Sequence, residues 1–197
     1  MLVRDRMTKN PVTIGPQEML VTAQEKMTTG HFRRLPVVED GGLVGILTDR
    51  DVRRHVGSEE RTKVRAVMTE TPLAISPDMP IEEATQLMLK HQISGLPVTD
   101  NSKLVGILTT SDILQTFLAM VGSSDDSHRI DVLAKEGGSL AEAAHLVEAA
   151  GGSVLSVGTY SDPTALQRIF FVRMRGIDPQ GASTALRTQG YTVIAIH

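Results

Sequence analysis

GILTDRD at Gly45–Asp51 returns as GILTTSD at Gly106–Asp112, an offset of 61 residues (106 − 45). The same offset carries Met7-Thr8 onto Met68-Thr69, Pro11 onto Pro72, Pro16 onto Pro77, Ala23 onto Ala84 and Met27 onto Met88. It also carries Leu35-Pro36-Val37 onto Leu96-Pro97-Val98, and no gap is needed between Met7 and Asp51. A repeat of this kind sets the architecture before any single residue is weighed.

Within the first copy, Val12–Ile14 is a short β-type run between Pro11 and Pro16. Leu20, Ala23 and Met27, three and four apart, predict a helix that Gly30 ends. Leu35–Val38 and Leu43–Leu47 read as strands around a Glu39–Gly42 turn, and Thr48 opens a helix. The second copy predicts a strand at Leu73–Ile75, a helix near Pro80–Leu89, strands at Leu96–Thr99 and Leu104–Leu108 around an Asp100–Lys103 turn, and a helix from Thr109. Polar Gly57–Lys63 connects the copies. Domain boundaries are expected at 1–60 and 61–121, with a linker at 122–127 (GSSDDS) and a further domain at 128–197.

That last segment has another rhythm. Ile130–Leu133, Val154–Val157, Ile169–Val172 and Tyr191–Ile196 are strand-like, with helices at Leu140–Ala150 and Pro179–Arg187. The order βαββαβ is the ferredoxin-like split arrangement. The expected fold class is therefore α/β (α+β), a repeated pair followed by a ferredoxin-like domain.

Composition narrows the function. The formal charge is −3 with mixed signs along the chain, which argues against a nucleic-acid surface. There is no cysteine, so disulfides and thiolate metal sites are excluded. MLVRDRMTKN lacks the apolar run of a signal peptide and no stretch approaches membrane-spanning length, so a cytoplasmic protein with no membrane partner is expected. Aromatics are 3% of the chain, so Val, Ile, Leu, Ala and Met must build the core. Ser153 and Ser156 lack the G-x-S-x-G setting, and neither a Walker lysine nor G-x-G-x-x-G is present. Nothing points to catalysis or to a catalytic cofactor. His145 and Glu148 stand i, i+3 on a helix but lack further metal ligands nearby.

Two readings fit the repeated motif. Thr48 with Asp51, and Thr109 with Asp112, stand three apart at helix starts. A capping box explains that spacing, at about 1 kcal/mol per cap, although Asp reaches back less far than Glu. The same geometry offers helix N–H groups and a hydroxyl to a phosphate, and a carboxylate to a ribose diol.

The repeated unit resembles the CBS domain, a β-α-β-β-α module that works in tandem. The resemblance rests on Met7-Thr8 with Pro11-Val12-Thr13, Leu35-Pro36-Val37 and GILTDRD, and on Met68-Thr69 with Pro72, ISGLPV at Ile93–Val98, and GILTTSD. The last segment looks like an ACT domain, with Gly137-Gly138 after its first strand. Together they resemble the acetoin-utilisation AcuB family. The CBS resemblance implies sites for an adenine nucleotide (AMP, ADP or ATP) or S-adenosylmethionine, each built across the pair. Phe32–Pro36 (Arg33, Arg34, Leu35, Pro36) would face Thr109, Ser111 and Asp112. Ile93–Pro97 (Gly95, Leu96, Pro97) would face Thr48, Arg50 and Asp51. Thr13 and Ile14 would join the ligand contacts.

Arg33 and Arg34 are either solvated or set for phosphate, and they make the site at Asp112 the tighter of the two. His31 either approaches a phosphate or is an exposed loop residue, and His55 with Arg53-Arg54 reads as a solvated helix end. Gly137 and Gly138 are either a turn before a Ser139 cap or an amino-acid effector site. The stripe Leu114, Phe117, Leu118, Val121 packs on its own repeat or on a second subunit. A homodimer is expected, with a regulatory binding module as the leading function. A scaffold that recruits a partner enzyme is the alternative.

Overall fold

The computed structural model describes residues 1–133, 135–161 and 168–197, and divides into units over Met1–Leu114 and Gln115–His197. A 3-10 turn at Val3–Asp5 opens the first copy, followed by β1 (Thr8–Lys9), α1 (Leu20–Gly30), β2 (Arg34–Glu39), β3 (Gly42–Thr48) and α2 (Asp49–Arg53). The second copy repeats the order: a 3-10 turn at Val64–Ala66, β4 (Thr69–Glu70), α3 (Ile81–His91), β5 (Gly95–Asp100), β6 (Lys103–Thr109) and α4 (Thr110–Met120).

Both hairpins form where the turn residues predict them. Asp40 and Gly41 have φ of 51° and 80°, and Asn101 and Ser102 have 48° and 65°. Positive φ at both central residues matches the twist of the flanking strands. The helices bury the predicted faces, Leu20, Ala23 and Met27 on α1 and Ile81, Ala84 and Met88 on α3.

α1 ends at Gly30 as expected, but other expectations need correction. Gly30 is the last residue of α1, and the left-handed cap is His31, with φ 53°. The glycine serves another purpose, since a Cβ there would overlap the Phe32 ring. Val12–Ile14 and Leu73–Ile75 are not strands; each makes a single bridge, Ile14 to Val37 and Ile75 to Val98. The prolines on both sides of each run have no N–H to give a ladder.

The copies exchange their opening segments. β1 pairs with β6 (Thr8↔Ile107, Lys9↔Gly106), and β4 pairs with β3 (Gly45↔Glu70, Ile46↔Thr69). Val3 packs in the core of the second copy and Val64 in that of the first. Backbone bonds fix both, Val3 N to Met79 O and Val64 N to Glu18 O, each at 2.9 Å. Gly42↔Lys103 joins the two hairpins into one sheet. A Cβ on Gly45 would stand 3.1 Å from Thr69 O and 2.6 Å from Met68 Sδ. A Cβ on Gly106 would stand 3.0 Å from Thr8 O and 2.5 Å from Met7 Sδ. The repeated glycine and the repeated Met-Thr are therefore one requirement written in two places.

The second unit runs β7 (His128–Leu133), α5 (Leu140–Ala149), β8 (Ser153–Ser161), β9 (Arg168–Arg175), α6 (Pro179–Thr188) and β10 (Thr192–Ile196). Its antiparallel sheet has the order β10-β7-β9-β8. Ile130, Val132, Phe170, Val172 and Met174 pack against Ala143, Val147, Ala182 and Leu186 of the two helices. Strand alternation sends Arg129, Asp131, Phe171 and Arg173 to the other face. Buried Asp131 accepts from Arg129 Nε at 2.7 Å, Arg129 Nη2 at 3.0 Å and Tyr160 Oη at 2.9 Å. A buried carboxylate is tolerated when paired and hydrogen-bonded in this way. β8 and β9 outrun the expected Val154–Val157 and Ile169–Val172 because their ends are polar (Thr159, Ser161, Arg168, Arg173), which hides them from an apolar pattern.

Replacing Gly45 or Gly106 with alanine should cost about 1–3 kcal/mol by overpacking the crossing segment. Urea denaturation of each variant measures this, and a loss below about 0.5 kcal/mol, the ordinary surface value, would contradict the packing account.

Candidate functional site

Two chain reversals build the site. Where β6 passes into α4, Thr109 N and Thr109 Oγ1 both donate to Asp112 Oδ2, at 2.7 and 2.6 Å, and Asp112 N donates back to Thr109 Oγ1 at 3.4 Å. The first copy repeats this, with Thr48 N and Oγ1 at 2.9 and 2.6 Å from Asp51 Oδ2 and Asp51 N at 3.4 Å from Thr48 Oγ1. Asp thus completes the box in both copies, against the expectation of poor reach. The hydroxyl and the amide of the capping threonine converge on one carboxylate oxygen and draw it in.

A cavity of about 900 Å³ opens in the first unit. Thr8, Asn10, Pro11 and Val12 line it from the opening segment, and His31–Arg34 with Pro36 from the turn into β2. Asp49, Arg50 and Arg53 line it from α2, and Ser94, Ile107 and Thr109–Asp112 from the second copy. Phe32, Arg33, Arg34 and Pro36 therefore share one space with Thr109, Ser111 and Asp112. Not every expected residue joins them. Ile14, Leu35 and Leu96 are core side chains. Thr13 turns its carbonyl to Lys26 Nζ at 3.0 Å. Thr48, Asp51, Gly95 and Pro97 do not line this cavity, whereas Arg50, expected beside Asp51, does.

Arg34 shows why the two sides differ. Its Cδ lies 2.9 Å from where a Cβ on Gly95 would stand, so the arginine occupies room that only glycine leaves. Its Nη2 donates to Ser94 Oγ in the second copy. Burial, the largest influence, pulls the Arg34 guanidinium below the usual arginine value; Asp49 opposes this and Arg33 adds to it. On α2, Arg53 pairs with Asp49 at 2.8 Å. The sequence places Arg53 at a solvated helix end; its side chain is 70% exposed and also lines the cavity, with its i, i+3 spacing from Arg50 putting both on one helix face. Sequence reasoning overlooked Thr8 and Asn10, which reach the cavity only through the exchange of opening segments.

Other candidates have plainer surroundings. His55 Nδ1 donates to Asp51 O at 2.9 Å, closing the end of α2 rather than facing solvent alone. His145 and Glu148 are exposed on α5, and among the described residues no three His, Cys, Asp or Glu gather to hold a metal. No described helix is long and apolar enough to cross a membrane. Leu114, Phe117 and Leu118 are 59%, 58% and 50% exposed, so the stripe is not spent on packing within the chain, and Thr116 is the buried residue of α4.

In the second unit, Gly137 has φ +71°, and a Cβ on Gly138 would stand 2.5 Å from Lys135 Cγ and 3.0 Å from Tyr191 Oη. Lys135 Nζ bonds Glu142 Oε1 at 2.9 Å and Gln189 O at 2.7 Å, and Tyr191 Oη donates to Glu142 Oε2 at 2.8 Å. Ser139 caps α5 by accepting from Glu142 N at 3.0 Å. Both glycines thus have a structural reason.

The CBS domain family model matches residues 3–58 and 64–119. Three solved structures are similar in fold and sequence. The CBS domain pair of protein MJ0100, solved with 5′-methylthioadenosine and S-adenosyl-L-methionine, is 30% identical with a TM-score of 0.55, over 59% of this chain and 95% of that one. CBSX2, solved with AMP, is 29% identical with a TM-score of 0.54, over 59% and 96%. An AcuB structure from Vibrio cholerae, described in terms of acetoin utilisation, is 30% identical with a TM-score of 0.56, over 60% and 90%. Several longer relatives are enzymes, and the chain covers less than a third of each.

Burial, and then Glu142, push the Tyr191 phenol up to about 12. A phenol held above its ordinary value of about 10 stays protonated in the folded state while the unfolded chain ionises. Its contribution is complete below about pH 10 and is lost as the pH rises toward 12. Urea midpoints across this window should fall less steeply for Tyr191→Phe than for wild type, and identical slopes would contradict the placement.

Proposed function

The chain belongs to the CBS domain family, and on that premise we propose that its first unit is a regulatory module binding an adenosyl nucleotide of the AMP, ADP and ATP class. The observation that carries this is the convergence of Arg33 and Arg34 with Thr109, Ser111 and Asp112 on one cavity. Asp112, oriented by its cap at the start of α4, takes the ribose diol. The hydroxyls of Thr109 and Ser111, with the N-terminus of α4, face the phosphate, and the two guanidiniums offer bidentate forks. Val12, Pro36 and Ile107 give an apolar wall for the purine. S-adenosylmethionine is the less suited ligand, because its sulfonium would meet a cationic wall. The AMP held by CBSX2 and the adenosyl ligands held by the MJ0100 pair support the class.

The twin set, Thr48, Arg50 and Asp51 with Gly95, Leu96 and Pro97, is the weaker site. Its wall is neutral at Ser94 and Gly95, and Arg34 lies over it. Ligand binding signals by shifting the angle between copies or between subunits, which requires that one arrangement bind the ligand better. The module is not itself catalytic. We read the second unit as ACT-like, with domains at 1–60, 61–121 and 128–197, sensing a second small molecule near Gly137 and Gly138 or mediating assembly. The likeness to AcuB is a family label and assigns no role in acetoin metabolism. A homodimer through Leu114, Phe117 and Leu118 fits their exposure. That same exposure favours a second reading, a scaffold that recruits a partner enzyme. One stoichiometric partner bound equally with and without nucleotide would support it.

Calorimetry with AMP tests the nucleotide reading. Asp112→Ala should lose about tenfold or more in affinity, the worth of a charge-assisted pair of hydrogen bonds. Asp51→Ala should change little. Equal losses would overturn the asymmetry, and a folded wild type with no thermal shift from any adenine nucleotide would overturn the reading itself.

A further inference from the structure

The cavity of the first unit carries more cationic charge than one phosphate requires. Four guanidiniums line it, those of Arg33, Arg34, Arg50 and Arg53, against the carboxylates of Asp49 and Asp112. All four arginines come from the first copy, and the positions 61 residues later are Ser94, Gly95, Ser111 and Leu114. The doubling of the chain therefore did not produce this cluster; it is a property of one site. The carboxylates are already engaged, Asp49 with Arg53 at 2.8 Å and Asp112 with its cap. Arg33 and Arg50 form no ion pair with a described residue. Like charges held in one cleft repel, and the site that keeps them is made more stable by an anion.

Placement extends the argument. Arg33 and Arg34 enter from the start of β2, beside Thr109 and Ser111, and between them they offer enough donors for the oxygens of a single phosphate. Arg50 and Arg53 enter from a different element, one helical turn apart on α2. Arg53 is held by Asp49 and Arg50 pairs with no described carboxylate, so a ligand that continues past its first phosphate meets both on one face. The space allows it, since about 900 Å³ lies at the upper end of small-molecule pockets.

We infer that this cavity selects a nucleoside di- or triphosphate over a monophosphate, with Arg50 and Arg53 holding the phosphates beyond the first. The inference rests on the nucleotide reading of the cavity and adds the number of phosphates to it. Arg50 and Arg53 are specificity-determining residues in this account, and Asp49 is a positioning residue that holds Arg53.

Isothermal titration calorimetry of the full chain with AMP, ADP and ATP, without divalent cations, tests it. ADP and ATP should bind about tenfold or more tightly than AMP, the worth of one or two further charge-assisted hydrogen bonds. Arg50→Gln and Arg53→Gln should each narrow that gap by weakening ADP and ATP several-fold while leaving AMP within about twofold. Arg61→Gln, which removes the same charge in the connector between copies, should leave the gap unchanged. AMP binding as tightly as ADP and ATP overturns the inference and leaves the nucleotide reading standing, as does a gap that Arg61→Gln narrows as much as the α2 variants. Failure of all three nucleotides to bind the folded chain overturns both.

Discussion

Each copy of the repeat finishes the other's sheet. The two-residue strands β1 and β4 cross to the opposite hairpin, and the 3-10 turns before them seat Val3 and Val64 in the opposite core. Glycine in the strand beneath eases each crossing, because a Cβ on Gly106 or Gly45 would stand only 3.0–3.1 Å from the Thr8 or Thr69 carbonyl and press on the Met7 or Met68 side chain. Burial of Val3 and Val64 adds roughly 1.5–3 kcal/mol per side chain to that interlock. A single copy would lack a strand and part of its core. The cleft between the copies follows from the same crossing, since Thr8, Asn10, Pro11 and Val12 reach it as they leave the exchanged strand.

On that near-symmetric frame the chain places asymmetric charge. The helix openings at Thr48–Asp51 and Thr109–Asp112 match atom for atom in their capping bonds. The residues that face them do not match. Arg33-Arg34 stands where the other copy has Ser94-Gly95, and Arg34 reaches across to use the space at Gly95. The capping bonds of the Thr–Asp pair are compatible with the ligand role proposed for it. The cap orients the carboxylate at the start of α4, where it lines a cleft bordered by guanidiniums, and a pre-oriented group loses less freedom on binding.

Much of this was legible in the sequence. The 61-residue offset matched two hairpins and four helices across the copies, because those elements carry apolar periodicity and turn residues. It did not reveal the exchange, because a two-residue strand has no period to read. Prolines around Val12–Ile14 disguised a single bridge as a strand, and Gly30, which does end α1, also leaves room for the Phe32 ring. The resemblance brought Arg33, Arg34, Ser111 and Asp112 forward, and all four line one cavity. Ile14, Leu35 and Leu96 were drawn in by adjacency, yet their side chains are the core on which the cleft rests. Arg53 reads as part of a solvated helix end because its place on the cavity wall depends on where α2 lies, which the offset alone does not state.

The most direct measurement is a crystal structure of the full chain grown with AMP. The account predicts its ribose hydroxyls on Asp112 and its phosphate between Arg33, Arg34 and Thr109. Nucleotide bound away from this cleft, or the cleft filled by the protein's own side chains with Asp112 turned out of it, would contradict the account.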